Sequence, residues 1–206
     1  MKIPMIAVVG LTATTMVVGV SVAGCGSNKS STTSSSGSST SSASKSVTSS
    51  SSSAQTADYT ALLIKSSDIT LPGDTFTDPP PIQTPNGQPG VATVFTNQTD
   101  TREISDDILI LPDAPGAVNA LNGSTAALGN TVTGGTPVPA AVGTAGTMVS
   151  GTTPDGSKAM TVLLFTEGKA FTNLEFLSAP NDPMPPQFVT DVGQMQDTAI
   201  KNGLPG

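Results

Sequence analysis

The sequence predicts an α+β domain in which helices pack against an antiparallel sheet, and three observations support this fold class. Three consecutive β-type segments are joined by two short turn sequences, Pro154–Ser157 and Glu167–Gly168, which is typical of an antiparallel meander. These segments are residues 144–152, 158–166 and 169–177. Two segments with helical periodicity lie before and after the meander. Residues 57–206 also contain 16 Gly and 16 Pro, which indicates many turns.

The chain before the meander is predicted to contain a short helix and two strands. Tyr59–Ile69 has apolar residues spaced for a helix that packs by one face. The next segment, residues 72–89, contains six Pro, so it is irregular or lies at a sheet edge. Gly90–Thr96 and Ile104–Leu111 are each predicted to be a strand, and a polar turn joins them.

Two longer helices complete the predicted domain. Asp113 is a good N-cap for the first helix, Pro115 fits its first turn, and Gly129–Asn130 ends it. Its predicted apolar stripe consists of Ala114, Val118, Leu121, Thr125 and Leu128. The last helix follows Pro185–Pro186 and ends at Asn202–Gly203. Its predicted apolar residues are Phe188, Val192, Met195 and Ala199.

Composition excludes several classes of function. The 206 residues include no His, no Trp and one Cys, so a catalytic His, a His metal site and an internal disulfide are excluded. The net charge is −7, and residues 57–206 hold all 15 acidic residues but only five basic ones, a net charge of −10. This charge argues against nucleic-acid binding. No catalytic residue, metal ligand or cofactor is predicted.

The first 24 residues are predicted to be a signal peptide, because one positive charge precedes a nearly continuous apolar run over residues 5–20. Val22-Ala23-Gly24-Cys25 then resembles the lipobox of bacterial lipoproteins, in which an aliphatic residue and two small residues precede the cysteine. The resemblance implies cleavage between Gly24 and Cys25 and a diacylglycerol thioether on Cys25. The alternative is an uncleaved membrane anchor, because the apolar run is about long enough to span a bilayer.

Residues 25–56 are predicted to form a disordered tether that starts at the lipidated cysteine. Residues 27–53 hold 17 Ser and 4 Thr among 27 residues. Such a segment buries too little apolar area to offset the entropy of ordering. A coil of ~30 residues has an r.m.s. span of roughly 30 Å, which holds the folded domain, residues 57–206, away from the membrane surface.

Acidic and aromatic residues are the remaining candidates for a site in the domain. Asp106 and Asp107 are neighbours in one predicted strand, so their side chains point to opposite faces, and they are predicted to be a surface pair and not a catalytic pair. Phe165, Phe171 and Phe176 in the meander are most simply core residues. Alternatively, some of them line an apolar groove between the sheet and the helices.

The order of these elements, behind a lipobox and a Ser/Thr-rich tether, resembles that of the LpqN/LpqT-type small envelope lipoproteins of mycobacteria. The resemblance covers residues 57–206 and lies in the organisation of the elements, not in a residue motif. It implies a Mog1/PsbP-like α/β sandwich. The segment Leu62–Ile64 also resembles the start of extracellular sensor domains of mycobacterial Ser/Thr kinases, but those domains usually carry disulfides, which one cysteine cannot form.

The sequence therefore predicts an exported protein that a lipid on Cys25 holds at the outer face of the cell membrane. In this hypothesis the protein is a non-enzymatic surface lipoprotein of the cell envelope whose acidic domain binds a partner. Two alternatives stay open: a carrier of a lipid or other apolar ligand in a groove between sheet and helices, and a hydrolase built on carboxylates alone. The hydrolase requires two acids from different elements in one cleft, about 5–10 Å apart. The residues do not identify the partner, which is an envelope protein or an apolar ligand.

Overall fold

An antiparallel sheet of eight strands organises residues 57–204, the part of the chain that the computed structural model describes. Its strands are β1 (Phe76–Thr77), β2 (Ile82–Gln83), β3 (Gly90–Asn97), β4 (Glu103–Ile110), β5 (Val138–Pro139), β6 (Thr144–Thr152), β7 (Ala159–Glu167) and β8 (Ala170–Ser178). Their order across the sheet is β1-β3-β4-β8-β7-β6-β5, and β2 also pairs with β3. The predicted signal peptide, residues 1–24, and the predicted lipid site and tether, residues 25–56, lie outside the described residues.

The predicted meander is confirmed, and each of its strands begins and ends within one residue of the prediction. The register pairs Leu163 of β7 with Met148 of β6 and with Leu174 of β8. Gly156 and Gly168 occupy the two turns with φ values of 69° and 54°, a conformation that favours glycine. Together with the helices, this antiparallel sheet confirms the α+β fold class.

Two helices pack on opposite faces of the sheet. They are α1 (Ala114–Thr131) and α2 (Pro186–Gly203). Alternate side chains of β7 show the division, because successive residues of a strand point to opposite faces. Val162 and Leu164 belong to the apolar cluster that includes residues of α1, whereas Leu163 and Phe165 belong to the cluster that includes residues of α2. The sheet is therefore the middle layer of the domain.

The buried face of α1 matches the predicted stripe only in part, since Leu121 and Leu128 are buried as predicted. Its buried residues are Ala117, Leu121 and Leu128. Ala114 and Val118, which the pattern assigned to the core, are exposed. A helical period of 3.6 residues fits two neighbouring stripes here, because the many small residues of this helix scarcely distinguish one face from the next. The predicted N-cap is confirmed, since Asp113 Oδ1 accepts a hydrogen bond from the backbone N–H of Gly116 at 2.7 Å.

The buried face of α2 is centred on a polar residue. Phe188 and Val192 are buried as predicted, while Met195 and Ala199 are half-buried at its margin. The fully buried Gln196 lies on this face, one helical turn after Val192. A buried amide needs hydrogen-bond partners, and the N-terminal segment of the domain supplies them.

The prediction of a helix over Tyr59–Ile69 is wrong. This segment forms two 3₁₀ turns, Thr60–Leu62 and Ser66–Asp68, with extended residues between them. Its buried apolar side chains still pack into the cluster on the α2 side of the sheet. An α-helix is absent because the carbonyl of Leu62 and the N–H of Ile64 bind the side chain of Gln196, so neither group is available to a helical ladder.

Short strand pairs cover both edges of the sheet. β1 and β2 come from the Pro-rich segment and pair with β3, which confirms the edge prediction for that segment. At the other edge β5 pairs with β6, and Thr133 forms an isolated bridge with Thr152. Edges covered in this way offer few free backbone groups to another sheet.

Candidate functional site

Asp106 and Asp107 lie on opposite faces of β4, as predicted, but the prediction of a surface pair is wrong. Asp106 shares its face with Ile104 and Ile108 and is 0% exposed. β4 is an internal strand, and apolar side chains of residues 62–76 belong to the cluster on this face. The sequence pattern indicates this burial, because Asp106 points to the same face of its strand as Ile104 and Ile108.

The carboxyl group of Asp106 is isolated within the apolar core. Thr93 and Leu174 lie opposite it on the two neighbouring strands. Neither of its oxygens has a hydrogen-bond partner among residues 57–204. Burial, to which the charge of Asp107 adds, raises the pKa of Asp106 well above its ordinary value. A buried acid of this kind has no surface to offer a ligand, so it belongs to the core and not to a site.

The opposite face of the sheet is only partly covered. α1 packs against β7 and β8, and no helix of the described residues packs extensively on β3 or β4. The side chains of β3 and β4 that point to this side are half-buried. We call this surface the open sheet face. The residues of it that matter below are Val94 on β3, Glu103, Ser105 and Asp107 on β4, and Asn173 and Glu175 on β8.

Strand register brings the polar residues of the open sheet face together. Asp107 lies opposite Asn173, and Ser105 lies opposite Glu175. The side-chain Nδ2 of Asn173 donates a hydrogen bond to Glu175 Oε1 at 3.0 Å. Opposed residues on one face of an antiparallel pair have Cβ atoms ~5 Å apart, and diagonal neighbours are roughly 7 Å apart. Asp107 and Glu175 are such diagonal neighbours, so their charges interact.

Asp107 is the perturbed acid of the open sheet face. Burial, followed by repulsion from Glu175, raises its pKa to about 6. No ion pair within residues 57–204 includes Glu103, Asp107 or Glu175. Asp107 Oδ1 and Asn173 Oδ1 are buried and lack a hydrogen-bond partner in this part of the chain. These two oxygens are therefore shielded from solvent and have no donor among residues 57–204.

Neither a metal site nor an enclosed catalytic pair results from this arrangement. Within residues 57–204, no group of three acidic side chains is placed so that it can hold a metal ion. Asp107 and Glu175 come from different strands and are diagonal neighbours on one face of the sheet. Both side chains are half-buried on this face, and the hydrolase hypothesis requires in addition a cleft around them.

Four acids elsewhere in the described residues take part in ion pairs. Arg102 Nε lies 3.1 Å from Asp74 Oδ2, and Arg102 also pairs with Asp182. Lys201 Nζ lies 2.6 Å from Asp197 Oδ2, one turn earlier on α2. None of these four acids lies on the open sheet face.

A groove of 580 Å³ lies between α2 and the N-terminal segment of the domain. Its apolar lining consists of Leu63, Ile64, Met195 and Ala199. Its polar lining includes Lys65, Asp68 and Asp191. This groove is a second candidate site, and it differs in place from the groove that the sequence suggested between sheet and helices.

Side chains fill the space between the meander and α2. Phe165, Phe171 and Phe176 are each at most 5% exposed, which confirms them as core residues. A Cβ atom at Gly193 would lie 2.4 Å from Leu163 Cδ2, so α2 approaches β7 as closely as a glycine allows. An apolar ligand has no space at this contact.

The residues predicted for lipid attachment and signal-peptide cleavage, Cys25 with Val22, Ala23 and Gly24, lie outside the described residues. In the part of the chain that is described, no helix has the length and apolar character to cross a bilayer. Comparison of the chain with protein-family models, curated proteins and solved structures finds no match. The resemblance to mycobacterial envelope lipoproteins therefore rests on the lipobox, the tether and the order of elements.

Proposed function

We propose that the protein is a non-enzymatic lipoprotein of the cell envelope, held at the outer face of the cell membrane and presenting an acidic binding domain. The observation that carries this proposal is the position of the only cysteine. Cys25 directly follows Val22-Ala23-Gly24, at the junction between an apolar leader and a Ser/Thr-rich segment. A thiol at this junction is placed to carry a lipid, whereas it is not placed to pack in an apolar core.

The physical chemistry of the three segments is consistent with this role. Two acyl chains bind a membrane stably, at ~0.8 kcal/mol per buried methylene group, whereas one chain is marginal. The tether separates the anchor from a domain with a net charge of −10, which keeps that domain soluble. The half-buried Glu103 and Glu175 of the open sheet face give the domain a polar surface for a partner.

The proposal extends to the fold family by resemblance. The order of a strand pair, a helix, a three-strand meander and a terminal helix is similar to that of the LpqN/LpqT-type lipoproteins, which implies a Mog1/PsbP-like sandwich. The support for this part is the order of elements over residues 57–204.

A carrier of a lipid or other apolar ligand is the second candidate function. The groove beside α2 favours it, because half-buried Leu63 and Met195 line 580 Å³ of space at the domain surface. Native mass spectrometry of protein purified from its own membranes is the test. A co-purifying apolar molecule that is lost from Met195→Asp supports this function, and a ligand-free protein speaks against it.

Metabolic labelling with an alkyne fatty acid tests the anchor. Wild-type protein is expected to carry the label and to sediment with membranes, and Cys25→Ser is expected to lose both properties. A matched control combines Cys25→Ser with Ser30→Cys, which keeps one thiol in the chain but moves it away from the lipobox. Labelling of Cys25→Ser, or equal labelling of the control and the wild type, would defeat the proposal.

A further inference from the structure

Three Asn-Gly pairs occur in the sequence, and they begin at Asn86, Asn122 and Asn202. In such a pair the amide nitrogen of the glycine can attack the side-chain carbonyl carbon of the asparagine, because glycine has no Cβ atom to obstruct the approach. All three asparagines are exposed, so water reaches each of them. Exposure therefore does not distinguish the three pairs, and the backbone around each pair decides where the attack takes place.

Two of the pairs are held in helices. Asn122 and Gly123 lie inside α1, and Asn202 and Gly203 are the last residues of α2. In an α-helix each N–H donates to the carbonyl oxygen four residues earlier, so the direction of the backbone at these glycines is fixed. Gly203 is confined further, because a Cβ atom there would lie 2.8 Å from Leu62 Cδ2. Attack at either pair first requires part of a helix to open.

The third pair lies in a short turn between β2 and β3, which consists of Pro85–Gly87. Asn86 and Gly87 have φ values of 53° and 75°, and this left-handed conformation strains an asparagine. A Cβ atom at Gly87 would meet no atom within 4 Å, so the surroundings of the attacking nitrogen are open. The N–H of Gly87 donates one hydrogen bond, to the carbonyl oxygen of Thr84 at 3.0 Å. Opening this exposed turn costs much less free energy than opening a helix.

We infer that Asn86 is a site of spontaneous modification, at which the chain converts to isoaspartate without an enzyme. Hydroxide removes the proton from the amide nitrogen of Gly87, and this nitrogen bonds to Cγ of Asn86. The bond between Cγ and Nδ2 then breaks, and ammonia leaves with a proton taken from water. Water opens the resulting cyclic imide at either carbonyl, which yields aspartate or isoaspartate. The product carries a carboxylate in place of the amide, and no oxidant or reductant takes part.

Isoaspartate lengthens the turn, because its backbone passes through Cβ and Cγ and gains a methylene group. The geometry of the turn sets the register of the two strands that it joins. This register places Gln83 of β2 opposite Val91 of β3. Beside this pair, the N–H of Thr84 donates a hydrogen bond to the carbonyl oxygen of Gly90 at 3.0 Å. We expect the longer turn to weaken the pairing of β2 with β3.

Gln83 connects this hairpin with the first described residues of the domain. Its Nε2 donates hydrogen bonds to Asp58 Oδ1 at 2.9 Å and to Thr60 Oγ1 at 2.6 Å. Its Oε1 accepts a hydrogen bond from the N–H of Tyr59 at 3.5 Å. Conversion of Asn86 is therefore expected to loosen the end of the domain at which the proposed tether enters. This effect goes beyond the proposed function and does not depend on the lipid.

Peptide mass spectrometry of aged protein tests the inference. Full-length mature protein in non-ionic detergent is kept in mildly alkaline water labelled with heavy oxygen, which marks each conversion that occurs during ageing. Asn86 is expected to convert at least about tenfold faster than Asn122 and Asn202, because the helices must open first. In urea the three rates are expected to agree within about threefold, since no fold then protects a pair. A smaller ratio in the folded protein, or an equally large ratio in urea, would overturn the inference.

Hydrogen exchange tests the effect on the start of the domain. The amides of Tyr59 and Thr84 are expected to exchange about threefold faster or more in aged wild type than in fresh protein. Asn86→Gly is the matched control, because glycine adopts the left-handed conformation without strain and has no side-chain amide to lose. Exchange in this variant is expected to stay the same on ageing. Unchanged exchange in a wild type that has converted at Asn86, or equal acceleration in Asn86→Gly, would refute the loosening.

Discussion

The side chain of Gln196 in α2 donates a hydrogen bond from Nε2 to the carbonyl oxygen of Leu62 at 2.6 Å, joining residues 134 positions apart in the chain. The same amide accepts a hydrogen bond from the N–H of Ile64 through Oε1 at 3.1 Å. Gln196 is 0% exposed, so both bonds are shielded from water. One buried amide thereby fixes the first described segment of the domain to its last helix.

Replacing this amide is expected to destabilise the domain. Gln196→Leu leaves the Leu62 carbonyl and the Ile64 N–H buried without partners, which costs about 2–4 kcal/mol of unfolding free energy. Denaturant unfolding followed by circular dichroism measures the loss. Gln187→Leu, an exposed position on the same helix, is the control and is expected to change stability by about 0.5 kcal/mol or less. Similar losses in both variants would contradict the role of the buried amide.

Glycine-to-alanine substitutions are expected to have opposite effects in the two long helices. Gly193→Ala places a methyl group against Leu163 Cδ2 and is expected to cost about 1–3 kcal/mol through overpacking. Gly123→Ala in α1 meets no atom within 4 Å and is expected to gain about 1 kcal/mol from helix propensity. Thermal unfolding of both variants is the measurement. A stabilising Gly193→Ala would refute the close contact between α2 and β7.

Removing the buried acid is expected to stabilise the domain in a pH-dependent way. Burial raises the pKa of Asp106 in the folded state. Its contribution to the free energy of unfolding is therefore fully favourable only below the pKa of the unfolded state, about 4, and this contribution is lost as the pH rises towards the pKa of the folded state. Asp106→Val is therefore expected to gain about 1–3 kcal/mol at pH 7 and less at pH 4. Thr93→Val, opposite it, does not titrate and is expected to have the same effect at both pH values. An equal gain for Asp106→Val at both pH values would contradict the raised pKa.

Ala145 has a φ of 54°, in the left-handed region, beside an irregularity between Thr144 and Thr147 of β6. This conformation costs a residue with a Cβ atom about 1 kcal/mol of conformational free energy, whereas it costs glycine nothing comparable. Ala145→Gly is expected to raise the unfolding free energy by roughly 0.5–1 kcal/mol. Ala141→Gly, an exposed site with negative φ, is expected to lower it by a similar amount. The melting temperatures of the two variants should therefore move in opposite directions.

The meander and the two long helices were predictable from sequence because turn residues and caps mark their ends locally. The segment over residues 59–69 was not, because its backbone hydrogen bonds go to Gln196, a partner that no local pattern indicates. The burial of Asp107 was missed for a related reason. Asp107 was considered with its neighbour in sequence, whereas its relevant neighbours, Asn173 and Glu175, are set by the register between β4 and β8.

The bond between Gln196 and Leu62 also determines how the domain responds to force. In the proposed arrangement the tether joins the domain at residue 57, so a pull from the membrane first reaches the hydrogen bonds of residues 58–60 with Gln83 and then the backbone at Leu62 and Ile64. Peeling this segment away requires breaking both buried hydrogen bonds of the Gln196 side chain and extracting two apolar side chains from the core. Resistance to such a pull therefore depends on the contact between this segment and α2, which lies on the opposite side of the sheet from the open sheet face.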